Sequence, residues 1–319
     1  MSGACVISLG SINVDFQVRT DRWPDAGETL LGHDFLMTGG GKGANVAILA
    51  RRLGVPAMLI GRVGDDVLAG EALRPLREAG VDLEHVWKTT GWATAVSMIV
   101  VRPDGRKTII LAANANDSWP ETDANAVAKV VNNAPSGSVL VVDLEVPRFI
   151  VRAAAEAARR RSLPVVLDPS PADRMEDDLY ELIDVITPNP SEGRLLTGVG
   201  IESPDDAERA ARTLLERGVP AVCQKLAGGG CMVVTEDGNH HVAAEDVDVV
   251  DTTGAGDAFA GAMGVALFEG QALVDAARFA VAAATAAVTT YGSQEAYPSR
   301  DELDRMLSRL PPIVSGDGR

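Results

Sequence analysis

The sequence predicts an α/β protein built on a parallel sheet, with a smaller β-sheet that protrudes from it. The main sheet is predicted because short β-branched runs alternate with amphipathic helical stretches, which is typical of βαβ units. The smaller sheet is predicted because two strand-like stretches, 15–35 and 94–112, are not directly followed by an amphipathic helix. With 319 residues, the chain is long enough to bury a large core.

The elements of the main sheet can be placed in order. Its first strand is predicted at 6–9, and apolar residues at helical spacing around Val46 predict a helix that Gly54 ends as a C′ glycine. A second helix covers 148–161, and Ser203 followed by proline is typical of the start of a third. Further strands are predicted at 57–61, 139–142, 164–167 and 185–187.

In the smaller sheet, Pro103, Asp104 and Gly105 predict a hairpin turn. A sheet of so few strands is not stable alone. We therefore expect a substrate or another subunit to cover its apolar face. The Pro/Gly/Ser-rich C-terminus predicts a flexible tail. We therefore divide the chain into an α/β domain of residues 1–14, 39–91 and 113–310, a β lid of residues 15–38 and 92–112, and a tail of residues 311–319.

The composition disfavours several classes of partner. Acidic residues outnumber basic ones by 45 to 29, which gives a formal net charge of −16 and disfavours nucleic acid and anionic membranes as partners. No apolar run approaches the ~18 residues that cross a bilayer, and the N-terminus lacks the basic region of a signal peptide. The isolated Cys5, Cys223 and Cys231 predict reduced thiols in a cytoplasmic protein.

Polar residues follow the first predicted strand. Asn13 and Asp15 alternate with apolar residues, so both side chains could face the same way and accept hydrogen bonds from a polyol. Ligands bind at this carboxyl edge of parallel sheets. The alternative is a turn in which both side chains bond to their own backbone.

A glycine-rich run extends from Gly39 to Asn45, where glycine would let a ligand approach the backbone and the helix start would offer N–H donors. A Walker loop is excluded because Gly43, and not serine or threonine, follows Lys42. A dinucleotide fingerprint fits 39–44 in spacing, but it should directly follow the first buried strand. An ordinary glycine-rich connection is the alternative.

Asn189 and Glu192 stand just after the strand predicted at 185–187. Their amide and carboxylate oxygens would fall on one side of a helix start and suit Mg²⁺ held largely through water. The same spacing is also that of an ordinary capping box.

The segment 251–257 precedes a helix with a clear apolar face. Gly254, Ala255 and Gly256 would present backbone N–H groups at the helix N-terminus, which is an anion site. An acid such as Asp257 in the first turn of a helix can be there simply because the helix dipole stabilises its charge. The dipole does not explain why this acid adjoins a loop that is suited to a phosphate. Phosphoryl transfer explains both features, with the loop neutralising charge and Asp257 accepting the proton of the attacking hydroxyl.

In this order and spacing, the segments resemble the ribokinase-like (PfkB) family of carbohydrate and nucleoside kinases, from Gly10 to about Pro298. The most specific matches are 40–45 and 251–257. The resemblance implies a doubly wound α/β domain with a small β lid, ATP as phosphate donor, and homodimers joined through the lids. It implies transfer of the γ-phosphoryl group to a primary hydroxyl, most closely that of D-ribose to give ribose 5-phosphate.

The resemblance also implies roles for residues, position by position. Asp257 is the implied catalytic base beside an anion hole of Gly254, Ala255 and Gly256. The implied sugar contacts are Asn13, Asp15, Gly41, Lys42, Asn45, Glu145 and Asp257. The implied nucleotide and Mg²⁺ positions are Asn189, Glu192, Lys225, Ala227, Gly228, Gly230 and Gly256. The implied monovalent-cation site, which would bind K⁺, is Asp251, Thr253, Ala287, Thr290 and Gly292.

The sequence departs from the family pattern at three positions. Ala227 stands where glycine is usual and Lys225 where threonine is frequent, which weakens the implied nucleotide contacts. Ala296 stands where a serine hydroxyl commonly contacts the monovalent cation, which weakens the expectation of K⁺ activation.

Other functions are weighed against this hypothesis. Within the same chemistry, the acceptor could be a nucleoside, fructose, deoxyribose or ketodeoxygluconate. Aromatic residues total 4%, which favours a bare sugar over a base, although Phe16, Phe35, Trp92 and Met98 leave a nucleoside open. A sugar-binding regulator without catalysis is disfavoured by the intact Asp257. An NAD-dependent dehydrogenase would rest on the glycine spacing alone.

Overall fold

The computed structural model describes residues 3–316 of the chain. The strands within these residues are β1 (Val6–Leu9), β2 (Asn13–Arg19), β3 (His33–Gly40), β4 (Ala57–Gly64), β5 (Val86–Thr89), β6 (Ala95–Val101), β7 (Lys107–Ala112), β8 (Val139–Asp143), β9 (Val165–Asp168), β10 (Val185–Ile186), β11 (Ala221–Lys225), β12 (Cys231–Thr235), β13 (Gly238–Val242) and β14 (Val314–Gly316). The helices are α1 (Lys42–Arg52), α2 (Val67–Glu78), α3 (Asp123–Asn132), α4 (Arg148–Arg160), α5 (Asp177–Tyr180), α6 (Pro190–Thr197), α7 (Pro204–Leu215), α8 (Ala255–Phe268), α9 (Leu273–Ala287) and α10 (Arg300–Arg309).

The main sheet has the strand order β14-β13-β12-β11-β10-β9-β8-β1-β4-β5. It is parallel from β5 to β11 and antiparallel through β12, β13 and β14. The chain builds this sheet outward in both directions from β1, which pairs with β4 on one side and β8 on the other. Ligands bind outside the carboxyl ends of strands at such a switch point. The loops after β1, β8 and β9 are therefore placed to form a site.

Helices cover both faces of the main sheet. One core cluster includes Val6 and buries residues of α1, α2, α8, α9 and α10. The other includes Ile7 and buries residues of α3 to α7. Val6 and Ile7 point to opposite faces of the sheet and are both fully buried, because helices cover both faces. A parallel strand covered on both sides therefore has a mainly apolar sequence and does not alternate between apolar and polar residues. The doubly wound α/β fold expected from the sequence is confirmed.

The second sheet has the order β3-β2-β6-β7, and we call it the lid. Phe16 pairs directly with Met37 on one side and Met98 on the other, and Met98 pairs with Ile110. Met37, Met98 and Ile110 are exposed, so an apolar row crosses the outer face of all four strands. The opposite face of the lid is turned toward the main domain.

The structure refines several boundaries. β4 extends to Gly64, three residues beyond its predicted end, and Ser203 caps α7 as expected. Residues 314–316, assigned from the sequence to a flexible tail, instead pair with β13 as β14, since the free edge of β13 offers unpaired backbone groups. The rest of the predicted tail, residues 317–319, lies outside the described residues. Within residues 3–316, every helix is too short or too polar to cross a bilayer.

Candidate active site

A cavity of about 900 Å³ lies between the lid and the carboxyl edge of the main sheet. Every residue that the sequence predicted for sugar, nucleotide or anion binding lines this cavity. Of the residues predicted for a monovalent cation, Thr253 lines it as well, and Asp251 is fully buried beside Thr253. The structure thus gathers segments that are far apart in sequence around one space.

Asp257, in the first turn of α8, lines this cavity. Its Oδ1 lies 3.0 Å from Lys42 Nζ, and its Oδ2 accepts a hydrogen bond of 2.7 Å from Asn45 Nδ2. Gln294 donates to Asn45 Oδ1 at 3.0 Å, which fixes the direction of that amide. Burial would raise the pKa of Asp257, but the charge of Lys42 and the hydrogen bonds from Asn45 and Lys42 outweigh it and hold the pKa below its ordinary value. Asp257 is therefore ionised at neutral pH.

Lys42 is the first residue of α1 and joins two carboxylates. Its Nζ lies 3.1 Å from Asp168 Oδ2 as well as close to Asp257. Burial would lower the pKa of Lys42, but the charges of Asp168 and Asp257 outweigh it and raise the pKa well above its ordinary value. Gly41, with φ of 94°, turns the chain from lid strand β3 into α1. Since β3 belongs to the lid, the glycine run lacks the βαβ context of a dinucleotide fingerprint.

Asn13 and Asp15, two of the residues predicted to hold a sugar, line the cavity from lid strand β2. Asn13 Nδ2 donates to Ser97 Oγ at 3.2 Å, and Asn116 Nδ2 donates to Asn13 Oδ1 at 2.8 Å. Asp15 Oδ1 is buried and accepts no hydrogen bond from residues 3–316, while burial raises the pKa of Asp15 to about 7. A Cβ at Gly40 would lie 2.2 Å from Asp15 Oδ2, so the glycine makes room for this carboxylate. An unpartnered carboxylate oxygen facing a cavity is a ready acceptor for a hydroxyl.

Glu145 is held at the side of the cavity by the loop after β1. Ser11 Oγ donates to Glu145 Oε2 at 2.6 Å and accepts from the backbone N–H of Lys42 at 2.8 Å. Asp143 accepts from the backbone N–H groups of Ser11 and Glu145, at 3.3 and 2.9 Å. Burial raises the pKa of Glu145, although Lys42 and Ser11 oppose the shift. These contacts fix the loops after β1 and β8 to each other.

The predicted anion hole begins at Gly254, which has φ of 75° and is the N-cap of α8. The first N–H groups of a helix have no partner four residues earlier, so this end can receive an anion. Lys107 of β7 reaches from the lid and donates to the carbonyl oxygen of Thr252 at 3.0 Å. Burial lowers the pKa of Lys107, and Asp257 and Asp251 oppose this shift. The lid thus places an ammonium group beside the anion hole.

The part of the cavity predicted to bind a nucleotide consists of a turn and of apolar side chains. In the turn after β11, the N–H of Leu226 donates to the carbonyl oxygen of Gly230 and the N–H of Gly229 donates to that of Leu226, both at 3.1 Å. Gly229 and Gly230 have φ of 91° and 80°. Next to it lie apolar side chains that sequence analysis did not single out. They are Val247, Val249, Val281, Ala284 and Val288. A polar turn beside an apolar slot suits the phosphates and the base of a nucleotide.

Asn189 and Glu192 form the capping box that was one of the two interpretations of their spacing. Asn189 Oδ1 accepts from the N–H of Glu192 at 2.9 Å, and Glu192 Oε2 accepts from the N–H of Asn189 at 2.8 Å. Both residues also line the cavity, so capping leaves the Mg²⁺ interpretation possible. Asp168 Oδ1 is buried without a hydrogen-bond partner among the described residues, and Lys225 Nζ lies 4.0 Å away. Asp168 and Glu192 are oxygen donors that fit Mg²⁺.

Several residues at the site were missed by sequence analysis, namely Ser11, Asn116, Lys107, Asp168 and Gln17. Asp168 had a usable signal, because it directly follows the strand predicted at 164–167 and so lies at the carboxyl edge of the sheet. Lys107 and Gln17 stand in lid strands, and only the folding of the lid over the main domain brings them to the site.

Three comparisons with known proteins agree with this geometry. A family model described as pfkB family carbohydrate kinase matches residues 4–300. The ribokinase of Haemophilus influenzae is 34% identical and aligns over 94% of this chain and 97% of its own length. The deoxyribokinase of Salmonella typhi is 32% identical and aligns over 94% of this chain and 97% of its own. The structure of Arabidopsis thaliana ribokinase complexed with ribose and ATP superposes with a TM-score of 0.84 at 30% identity, covering 96% of this chain and 99% of that one. The chain therefore belongs to the pfkB family of carbohydrate kinases.

Proposed function

We propose that this carbohydrate kinase transfers the γ-phosphoryl group of ATP to a primary hydroxyl of a pentose, and that D-ribose is its main acceptor. The observation that carries the proposal is the convergence of Asp257, ionised and held by Lys42 and Asn45, with the sugar-facing Asn13 and Asp15 in one cavity. Ribokinases of other organisms, and a ribokinase that binds ribose and ATP, support ribose as the acceptor.

In the proposed reaction, Asp257 accepts the proton of the sugar hydroxyl. The hydroxyl oxygen forms a bond to the γ-phosphorus, the bond from that phosphorus to the β–γ bridging oxygen breaks, and ADP leaves. Each oxygen of Asp257 has one lone pair left beside its bond to Lys42 or Asn45, so the carboxylate can still take a proton. A loose phosphoryl-transfer transition state demands little basicity, which is compatible with the lowered pKa of Asp257.

Charge on the transferring phosphoryl group is neutralised from two sides in this proposal. The N–H groups that begin α8 after Gly254 supply backbone donors, and Lys107 supplies an ammonium from the lid. Asp168 and Glu192 would hold Mg²⁺ together with the phosphates, where the ion supplies positive charge. Lys225 lies near Asp168 and would contact the nucleotide phosphates. ATP would place its base in the apolar slot.

We also propose that two copies of the chain associate through the outer face of the lid. The apolar row of Met37, Phe16, Met98 and Ile110 crosses four strands, and two of these side chains are more than half exposed. A second lid would bury this row and support a sheet that is too small to be stable alone. Met98→Asp is expected to shift the molecular mass measured by light scattering from two chains to one. We place the protein in the cytoplasm, as its three unpaired, buried cysteines suggest.

The test is ADP formation with ribose, deoxyribose, fructose, ketodeoxygluconate and adenosine as acceptors. Ribose is expected to give the highest kcat/KM, and Asp257→Asn is expected to lower kcat by about 10²- to 10⁴-fold. Asp275→Asn is the matched control, because Asp275 also stands in the first turn of a helix but is exposed. Near-normal turnover by correctly folded Asp257→Asn would refute the mechanism. Ribose binding by the wild type without ADP formation would instead support a regulator.

A further inference from the structure

Asp251 has an unusual set of partners for a residue expected to bind a monovalent cation. It is fully buried, and each of its oxygens accepts two hydrogen bonds. Oδ1 accepts from the backbone N–H and the hydroxyl of Thr253, at 2.9 and 2.7 Å. Oδ2 accepts from the backbone N–H of Gly292 at 3.1 Å and from Nε2 of Gln17 at 2.6 Å. Gln17 is a lid residue and is itself buried.

These four hydrogen bonds occupy the hydrogen-bond acceptor sites of the Asp251 carboxylate. An ionised carboxyl group offers about four lone-pair sites, and a cation bound to Asp251 needs at least one of them. Ala296, at the position where the family commonly has a serine hydroxyl, is buried and brings no oxygen from its side chain. In this arrangement Asp251 has no acceptor site left for a cation, which differs from the expectation drawn from the resemblance.

The lid also brings a positive charge to the same place. Arg19 lies two residues after Gln17 on β2, and both pair in continuous register with β6, so the two side chains share one face of the strand. The Arg19 guanidinium lies 4.2 Å from the ring centroid of Tyr291, which directly precedes Gly292. Its Nη2 donates to the carbonyl oxygen of Val250 at 3.4 Å. Gln17 thus supplies a donor to Asp251, and Arg19 supplies a cation beside it.

We infer that Gln17 and Arg19 replace a bound monovalent cation, so that docking of the lid, and not K⁺, sets the geometry of the anion hole. Asp251 holds Thr253, and Thr253 directly precedes Gly254, the N-cap of α8. When the lid is docked, Gln17 fixes Asp251, and Asp251 fixes the backbone that leads into the anion hole. Gln17 is a positioning residue, since it acts on phosphoryl transfer through Asp251. The inference rests on the proposed sugar-kinase function.

The first experiment measures ADP formation directly by chromatography, because enzymes that couple ADP to a colour change can depend on K⁺ themselves. Wild type, Gln17→Ala and Thr38→Val are compared with ATP and ribose in KCl and in tetramethylammonium chloride of equal ionic strength. Thr38→Val is the matched control, because the Thr38 hydroxyl makes a different hydrogen bond between the lid and the main domain, to Glu295 at 2.7 Å. Wild type and Thr38→Val should have the same kcat in both salts. Gln17→Ala should lose about tenfold in tetramethylammonium and recover in KCl.

A second measurement does not depend on turnover. Addition of KCl should leave the melting temperature of wild-type protein equal to that in tetramethylammonium and should raise that of Gln17→Ala, because a vacated lone pair of Asp251 would then bind K⁺. Gln17→Met serves if Gln17→Ala does not fold, because methionine keeps the length of the side chain but removes the donor to Asp251, and it should gain the same K⁺ dependence. Activation or stabilisation of the wild type by K⁺ would overturn the inference, as would K⁺-independent Gln17→Ala. If no sugar is phosphorylated, the proposed function fails, and the melting experiment still decides this inference.

Discussion

Replacing Asp15 with asparagine is expected to stabilise the fold above neutral pH and to weaken binding of the sugar. Asp15 is buried, and its Oδ1 has no hydrogen-bond partner among residues 3–316. Burial raises the pKa of this carboxyl group from 3.8 to about 7, with smaller contributions from the carboxylates of Glu145 and Asp257 that also raise it. An amide of the same shape removes the charge and keeps a group that can hydrogen-bond to the hydroxyl of Ser97.

The sign and size of the stability effect follow from this pKa. The folded state binds the Asp15 proton more tightly than the unfolded state does, so ionisation costs stability as the pH rises. The cost is absent below the unfolded pKa of 3.8 and complete above the folded pKa of about 7. The difference between these two values corresponds to about 4 kcal/mol as an upper limit, of which about 2.5 kcal/mol develops between about pH 5 and pH 8.

The assay is urea unfolding of the wild type and Asp15→Asn across this pH range. The free energy of unfolding of Asp15→Asn should rise relative to the wild type by up to about 2.5 kcal/mol from the acidic to the alkaline end. Asp173→Asn, at an exposed position, should run parallel to the wild type. In parallel, kcat/KM of the wild type for ribose should rise with pH to a plateau above about 7, and Asp15→Asn should lower it about tenfold or more. Parallel unfolding curves for Asp15→Asn and the wild type would refute the reasoning.

Three further changes test other parts of the site. Gly40→Ala forces a methyl group against Asp15 and should raise KM for the sugar and destabilise the fold by about 1–3 kcal/mol, measured by steady-state kinetics and urea unfolding; an unchanged KM would contradict the close contact. Lys107→Met should lower kcat about 10²-fold with a smaller effect on sugar KM, and a change in sugar KM alone would place Lys107 at the sugar instead. Asn116→Ala leaves the buried N–H of Ile12 and the amide oxygen of Asn13 unpaired. The free energy of unfolding should fall by about 1–3 kcal/mol, and a loss well below about 1 kcal/mol would show that other groups replace the amide.

Much of the fold could be predicted from the sequence because its signals are local. The strand at 6–9, the Ser203 cap and the glycine after α1 depend on residues only a few positions apart, and the structure agrees with each. The segment 251–257 could also be interpreted from its own residues, since a glycine turn, a helix start and an acid lie within seven positions. Its functional interpretation needed only the chemistry of helix termini.

Contacts between distant segments could not be predicted in this way. The spacing of Asn189 and Glu192 left two interpretations open, and only the structure shows that they cap α6 while facing the cavity. Gln17 reads as an ordinary polar residue in a strand, and its partner Asp251 lies 234 positions away. No local pattern encodes such a pair, because its geometry depends on how the lid packs against the main domain.

The amino-acid sequence by itself determined the α/β class, the acid at 257 and the glycine turns, because backbone preferences and hydrophobic periodicity act over short stretches of chain. Only the tertiary structure decided the ionisation of Asp15 and Asp257, since burial and the position of Lys42 move their pKa values in opposite directions. It also decided that Gln17, a side chain of the lid, donates a hydrogen bond to Asp251 in the main domain. Electrostatics and hydrogen-bond saturation depend on distances in space, and those are fixed only when the whole chain has folded.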